Sequence, residues 1–292
     1  MSAIRWKGSP PMSDHILEAR NLTVRFGKRP AVDDVTVAFK PGEAVVIAGP
    51  NGAGKSTFLR CLAGAIVPDR GRVLLDRNLS GRNIGFLSDR LSLYEGWTLE
   101  EAWTFHRREF GIAEPARQTF RAIDLGPRRR VKSLSVGERT LFHLSLLMAQ
   151  KPAVLLIDEV LHALDPYLRE RFLEAVIEAM DDFKTAVIMV NHVFQETAQL
   201  PERVMIMDGG RFSLDESRED LERKVKKAVF AGEWPSEIPF LFETSSDLQK
   251  ERYVYPFLDE WPAKSGLDFK DVALGEIVKA FIGGAYVQKR AR

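Results

Sequence analysis

The hydrophobic pattern of the chain switches between continuous apolar runs and stretches that alternate apolar and polar residues. AVVIA (44–48), AVLLI (153–157) and AVIMV (186–190) are continuous runs, which are typical of central parallel strands covered on both faces. LEARNLTVRF and VTVAF alternate within residues 16–39 and predict half-buried antiparallel strands. The chain is therefore expected to combine a parallel sheet with an antiparallel one.

Helical spacing follows the first and second runs, over residues 55–62 and 166–180, and strands that alternate with helices predict an α/β domain. Residues 99–123 have helical spacing without a strand pattern and predict an all-helical insertion. Beyond Leu221 the chain is rich in aromatic residues and prolines, and it ends in a helix-like stretch at 271–284. We expect a small additional module of short strands, turns and a helix there.

Composition and charge narrow the class of protein. Of 292 residues, 45% are hydrophobic and 28% are charged, and the formal net charge is +1, so a folded soluble chain with no general attraction to nucleic acid is expected. Cys61 is the only cysteine, which excludes an intramolecular disulfide and a cysteine-based zinc site. The sequence shows no signal-peptide pattern and no run of ~18 apolar residues, which predicts a cytosolic protein that meets membranes only through a partner.

The strongest chemical motif is GPNGAGKST, which comes directly after the first continuous run and before a helical pattern. It fits the phosphate-loop pattern G-x-x-x-x-G-K-[ST], in which backbone N–H groups surround phosphates. Lys55 is expected to reach the β and γ phosphate oxygens, and the Ser56 hydroxyl to bind Mg²⁺. The alternative is a glycine-rich turn without a ligand. The predicted nucleotide-binding residues are Gly49, Pro50, Asn51, Gly52, Ala53, Gly54, Lys55, Ser56 and Thr57.

Polar residues also follow the other two continuous runs. Asp158 and Glu159 come after the second run, at the sheet edge where open α/β folds bind ligands. We expect Asp158 to hold Mg²⁺ and Glu159 to orient and deprotonate an attacking water. The alternative is that acidic residues stand there only because the chain leaves the buried strand and becomes exposed to solvent. His192 follows the third run and is expected at the same edge, although a lone histidine after a strand is often a surface or core residue.

The segment LSVGER (134–139) admits two interpretations. Ser135 and Glu138 have the spacing of a capping box, which needs no function beyond starting a helix. Ser135 and Gly137 would also aim a helix N-terminus at an anion. The basic run RRRVK just before this segment is likewise open to two uses, recognition of a phosphate or acidic surface and a solvated basic face.

Together these motifs resemble the nucleotide-binding domain of ATP-binding cassette (ABC) proteins over residues 14–224. GPNGAGKST is similar to the Walker A motif, LLIDE to the Walker B motif, and ALDP, with Asp165, to the D-loop. His192 takes the place of the switch histidine. The family signature, usually LSGGQ, is matched by Leu134, Ser135, Val136, Gly137 and Glu138. The resemblance favours the phosphate-binding tip as the role of LSVGER.

The family resemblance implies a P-loop NTPase fold with a mixed, largely parallel central sheet, an antiparallel β subdomain and an all-helical insertion. The corresponding division of the chain is a disordered tail at 1–13, a nucleotide-binding domain at 14–224 with its helical part near 97–150, and a small C-terminal α+β module at 225–292. The resemblance also implies a head-to-tail dimer that clamps two ATP molecules with Mg²⁺ between Walker A of one protomer and the signature of the other.

The resemblance assigns further roles and contains three departures. Ser135 and the Gly137 N–H are expected to face ATP held by the partner. Phe26 takes the place of the aromatic residue that stacks on adenine, the alternative being a core phenylalanine. Val136 stands where glycine is usual. Asp89 stands where glutamine is expected, and the resemblance implies that it binds Mg²⁺ there. The third departure is VLH at 160–162, which replaces the proline-rich link usual between the Walker B motif and the D-loop.

Within this family, a chain without membrane spans implies an ATP-hydrolysing subunit of separate transmembrane permease subunits, cytoplasmic and peripheral on the inner face of the cell membrane. LSLYEGWTLEEAWTFH and DVALGEIVKAFIGG are similar to ATPase subunits of ABC-2 type exporters, so export is predicted. Asp89 and the insertion at 99–123 are expected to receive the permease. The alternatives are a soluble ABC ATPase without a transport role and a weakly hydrolysing regulatory cassette.

Overall fold

A computed structural model of the protein describes residues 14–88, 94–112, 125–191, 200–230, 232–245 and 250–290, the side chains of 245 and 285–290 excepted. The predicted tail at 1–13 and the predicted site residues Asp89 and His192 lie outside the described residues. The described strands are β1 (Leu17–Phe26), β2 (Arg29–Phe39), β3 (Ala44–Ala48), β4 (Arg70–Leu75), β5 (Ile84–Ser88), β6 (Val154–Asp158), β7 (Ala186–Val190), β8 (Arg203–Asp208), β9 (Arg211–Ser217), β10 (Lys226–Phe230), β11 (Phe242–Ser245), β12 (Lys250–Val254) and β13 (Phe269–Asp271). The described helices are α1 (Lys55–Leu62), α2 (Leu99–Phe110), α3 (Val136–Ala149), α4 (Pro166–Phe183), α5 (Arg218–Lys224), α6 (Trp261–Ser265) and α7 (Leu274–Arg290).

The central sheet has the strand order β5-β6-β7-β3-β8-β9. Neighbouring strands from β5 to β8 run parallel, and β9 is antiparallel to β8. Every residue of β3, β6 and β7 is buried, which confirms the prediction made from the continuous apolar runs. Because parallel strands end at the same edge of a sheet, the residues that follow β3, β6 and β7 meet there.

A separate antiparallel sheet has the order β2-β1-β4, as the alternating pattern predicts. Its apolar residues, including Leu17, Val24 and Phe39, share one hydrophobic cluster with Phe58 and Leu59 of α1. This packing places the β1–β2 hairpin beside the start of α1, where the glycine-rich loop ends.

The predicted all-helical insertion is confirmed for its described part. α2 and α3 pack together through a cluster that includes Leu99, Trp103 and Phe142. α2 begins at a capping box, in which Thr98 Oγ1 accepts a hydrogen bond from the Glu101 N–H at 3.2 Å. Residues 113–123 of the insertion lie outside the described residues.

The C-terminal segment forms an antiparallel sheet of order β11-β12-β10-β13 and the helix α7, the predicted mixture of short strands and a helix. Ile277 and Val278 of α7 belong to the same hydrophobic cluster as Val204 and Ile206 of the central sheet. The Tyr255 hydroxyl donates to Glu216 Oε1 at 3.1 Å. The segment therefore shares a core with the larger domain. Within the described residues, no helix is both long and apolar enough to cross a membrane.

Candidate nucleotide-binding site

The loop between β3 and α1 carries the glycine-rich motif, and its backbone requires two of the glycines. Gly49 and Gly54 have φ angles of 145° and 105°, which residues with side chains rarely adopt. A Cβ atom at Gly54 would lie 1.9 Å from the carbonyl oxygen of Ala31, and one at Gly49 would lie 2.0 Å from that of Met207. The loop is therefore pressed against β2 and β8, which hold it at the start of α1.

Lys55 is the first residue of α1, and its ammonium group contacts the loop that precedes it. Nζ donates to the carbonyl oxygens of Gly49 (2.9 Å) and Pro50 (3.0 Å) and lies 3.9 Å from Glu159 Oε1. Lys55 is buried, with 4% of its surface exposed. Burial lowers the pKa of Lys55, an effect that the Glu159 and Asp158 carboxylates oppose. A buried ammonium whose hydrogen bonds go to two carbonyl oxygens, with a carboxylate farther away, is placed to bind phosphate oxygens instead.

Ser56 and Asp158 lie in contact, as expected of a pair that binds Mg²⁺. Ser56 Oγ donates to Asp158 Oδ1 at 2.8 Å, and Asp158 is buried. Magnesium is usually held by few protein oxygens together with water and substrate phosphates, and a hydroxyl beside one carboxylate fits that donor set. No group of three His, Cys, Asp or Glu side chains in the described ranges could hold a metal alone. The motifs did not indicate Arg60, whose Nη2 lies 3.9 Å from Asp158 Oδ2.

Glu159 follows β6 with a φ of 53°, a left-handed backbone that is uncommon for a residue with a side chain and is often found at functional sites. Its N–H donates to the carbonyl oxygen of Val190 at 3.1 Å, so β7 holds this turn in place. The Glu159 carboxylate and the glycine-rich loop line one cleft of about 350 Å³. The residues that line this cleft are Ala31, Asn51, Gly52, Ala53, Gly54, Lys55, Ser56, Thr57 and Glu159.

Phe26 ends β1, and 63% of its surface is exposed. The alternative interpretation of Phe26 as a core residue is therefore wrong. Phe26 is not among the described residues that line the cleft, and its stacking on adenine stays a prediction.

Residues 134–138 form the start of α3 and contain the predicted capping box. Ser135 Oγ accepts from the Glu138 N–H at 3.1 Å, and Glu138 Oε2 accepts from the Ser135 N–H at 2.8 Å. Leu134 is buried, whereas 62% of the Val136 surface is exposed. The described residues that line the cleft include none from this segment. The exposed N-terminus of α3 is thus not part of the chain's own cleft.

Asp165 caps the N-terminus of α4, since its Oδ1 accepts from the Leu168 N–H at 2.9 Å. Arg169 Nη2 donates to the carbonyl oxygen of Leu164 at 2.9 Å, which holds the turn before α4. Gly137 packs against this turn, because a Cβ atom there would lie 2.7 Å from Leu168 Cδ1. The segment similar to the D-loop and the segment similar to the signature are therefore packed together, an arrangement that their motifs do not reveal.

Arg129, from the basic run, is bound to the signature segment. Its Nη1 and Nη2 donate to the two carboxylate oxygens of Glu138 at 2.8 and 3.1 Å, and Nη2 also donates to the carbonyl oxygen of Ser133 at 3.2 Å. The hydrogen bond from Arg129 is the main cause of a lowered pKa of Glu138. Arg129 therefore has an internal partner, which neither interpretation of the basic run included.

The chain is similar to known ATP-binding proteins. Residues 32–162 match the family model described as ABC transporter. The Fe(3+) ions import ATP-binding protein FbpC of Streptomyces coelicolor is 35% identical over 69% of this chain and 62% of that protein. The sulfate/thiosulfate import ATP-binding protein CysA of Ralstonia nicotianae is 31% identical over 67% of this chain and 57% of that protein. The chain thus spans less than two thirds of the length of either relative.

A solved dimeric ATP-binding cassette in a post-hydrolysis state with ADP and Pi has the same fold, with a TM-score of 0.58 and 23% identity over 69% of this chain and 98% of that one. This likeness confirms the predicted P-loop NTPase fold. Both relatives are named for import, so the prediction of an exporter receives no support from them. The order of the motifs, the cleft that they form and the family match show that the chain carries an ATP-binding domain of the ABC transporter family.

Proposed function

We propose that the chain binds and hydrolyses ATP and that hydrolysis powers a separate membrane permease. The cleft at the carboxyl edge of the central sheet carries this proposal, because a buried ammonium, a hydroxyl paired with a carboxylate and a second carboxylate meet there. Phosphoryl transfer to water needs this set of groups: positive charge for the phosphates, oxygen ligands for the metal and a base for the water.

Four side chains in or beside the cleft have a role in the proposal. Lys55 would replace its carbonyl partners with the β and γ phosphate oxygens. Ser56 and Asp158 would hold Mg²⁺, which neutralises charge on those oxygens when it is bound. Glu159, which is partly exposed in the cleft, would accept the proton of the attacking water. His192 stays a predicted member of the site.

A dimer completes the proposed site. The N-terminus of α3 offers N–H groups and a partial positive charge to an anion, yet among the described residues its segment 134–138 contributes none to the chain's own cleft. A second copy placed head to tail would bring this tip to the phosphates. The solved cassette with ADP and Pi that shares this fold is itself described as dimeric.

Turnover per chain is expected to rise with protein concentration, since a complete site needs two chains. The measurement is the initial rate of phosphate release over a concentration series, with sedimentation in the presence and absence of ATP. Ser135→Ala should lower turnover by about 10-fold through loss of the cap, whereas the exposed control Ser236→Ala should not change it. Turnover per chain that is independent of concentration would contradict the shared site, and no measurable turnover would favour a regulatory cassette.

The permease part of the proposal is supported by the transport names of the relatives and by an aromatic groove beside α2. Tyr94 is 65% exposed and Phe105 is 56% exposed. The centroid of the Trp97 ring lies 5.4 Å from that of Tyr94 and 5.1 Å from that of Phe105. The groove, of about 590 Å³, is lined by Trp97, Thr98, Glu100, Glu101, Thr104, Phe105 and Arg108. Exposed aromatic surface of this kind suits an amphipathic segment of a partner.

In this proposal the chain lies at the cytoplasmic face of the membrane, and the names of the relatives favour uptake over the predicted export. The full chain, purified from solubilised membranes, is expected to retain a polytopic membrane protein. Phe105→Glu should abolish that association, because it removes the exposed ring and adds a third carboxylate beside Glu100 and Glu101. Val67→Glu, at an exposed residue that does not line the groove, should preserve the association. Purification without any membrane protein would instead support a soluble ABC ATPase.

A further inference from the structure

We propose that Arg129 is a positioning residue for the signature tip, which it orients by holding and neutralising Glu138. The proposal deepens the proposed function, because it concerns the tip that would meet ATP bound by a second chain. It does not assign to Arg129 any contact with the nucleotide.

The contacts around Glu138 define what Arg129 adds. Glu138 Oε2 already accepts the Ser135 N–H of the capping box at 2.8 Å. Arg129 donates to both carboxylate oxygens, at 2.8 and 3.1 Å, and forked pairs of this kind fix the angle of both groups. Three quarters of the Glu138 side chain is shielded from solvent. The first turn of α3 is therefore held from two directions.

Charge gives the second reason for an arginine at this position. The similar family motif ends in glutamine, which is neutral, whereas this chain has Glu138. An unpaired carboxylate in the tip would repel the triphosphate that the tip must approach. Arg129 removes that repulsion while leaving the capping hydrogen bonds of Glu138 intact.

The backbone of Arg129 connects the same residue to the aromatic groove. The Leu99 N–H, at the start of α2, donates to the Arg129 carbonyl oxygen at 2.9 Å, and the Val131 N–H donates to that of Trp97 at 2.9 Å. Trp97 lines the groove. Backbone hydrogen bonds therefore join the Arg129 segment to the start of α2 and to the edge of the groove.

The test uses the full chain with four variants. Arg129→Ala is expected to lower turnover at saturating ATP by about 10-fold, with the ATP affinity of the monomer within about twofold of the original. Arg129→Lys should recover part of the loss, because it restores charge without the forked geometry. Glu138→Gln added to Arg129→Ala should recover most of it, because the amide removes the repulsion and still caps the helix. The neighbouring control Arg130→Ala should match the original chain.

A second readout does not depend on catalysis. Amide hydrogen exchange at Ser135 and Glu138 should be about 10-fold faster in Arg129→Ala than in Arg130→Ala, because the first turn of α3 loses one of its restraints. Unchanged exchange, or a double variant no more active than Arg129→Ala, would overturn the role of Arg129. Faster exchange in a protein whose original form neither dimerises nor hydrolyses ATP would overturn the proposed function and leave the structural contact established.

Discussion

Glu159→Gln is expected to lower ATP turnover by about 10²- to 10⁴-fold, the range associated with loss of a general base. Glu159 lies in the cleft, 3.9 Å from the Lys55 ammonium, on a backbone turn that β7 holds. Glutamine has the same size and accepts hydrogen bonds, but it cannot take a proton from water. ATP affinity should be retained or increased, since a negative charge next to the γ phosphate is removed.

A consequence of slow hydrolysis is that the ATP-bound dimer should accumulate and become visible by sedimentation. Glu178→Gln, an exposed substitution of the same kind on α4, is the matched control and should behave as the original chain. Turnover that survives in a clean Glu159→Gln preparation would show that another group activates the water.

Lys55→Ala is expected to weaken ATP binding by about 10- to 100-fold, the loss of one or two hydrogen bonds to a charged group. Turnover should fall further, by about 10²- to 10³-fold, because charge develops on the transferred phosphate in the transition state. The substitution also removes the buried ammonium that donates hydrogen bonds to the Gly49 and Pro50 carbonyl oxygens. Calorimetric titration of the monomer with ATP separates the binding loss from the catalytic one.

The control for Lys55→Ala is Lys40→Ala, which removes an exposed lysine outside the cleft and should leave both quantities unchanged. The pH dependence gives an independent check. Because burial lowers the pKa of Lys55, the free chain loses the ammonium at lower pH than an ordinary lysine would. ATP affinity should therefore decline as pH rises through that lowered pKa. If the Lys55→Ala chain bound ATP with the original affinity, Lys55 would not be part of the binding site.

Local sequence was sufficient to predict the three central strands β3, β6 and β7 and the polar residues that follow β3 and β6. The apolar runs that became β3, β6 and β7 are buried on both faces, so their composition reports their position directly. The glycine-rich loop was predictable because its backbone angles are open mainly to glycine, as at Gly49 and Gly54. Capping by Ser135 and Glu138 was predictable because both partners lie within one helical turn.

Some predictions stay untested or lack support. The roles of His192 and Asp89 fall outside the described residues. The exporter prediction rested on two short stretches of likeness, and the transport names of relatives matched over 69% and 67% of the chain do not support it. Two short stretches of likeness carry little information about the direction of transport.

The sequence by itself determined which elements form and which loop could bind phosphate, because those properties depend on residues that are neighbours along the chain. The tertiary structure decided which distant residues act together. It packed Gly137 against Leu168 and merged α7 with the core of the central sheet. It also gave Arg129 a partner in Glu138 that the basic composition of its segment did not indicate. These contacts depend on how the elements pack, and hydrophobic period and motif spacing do not encode that packing.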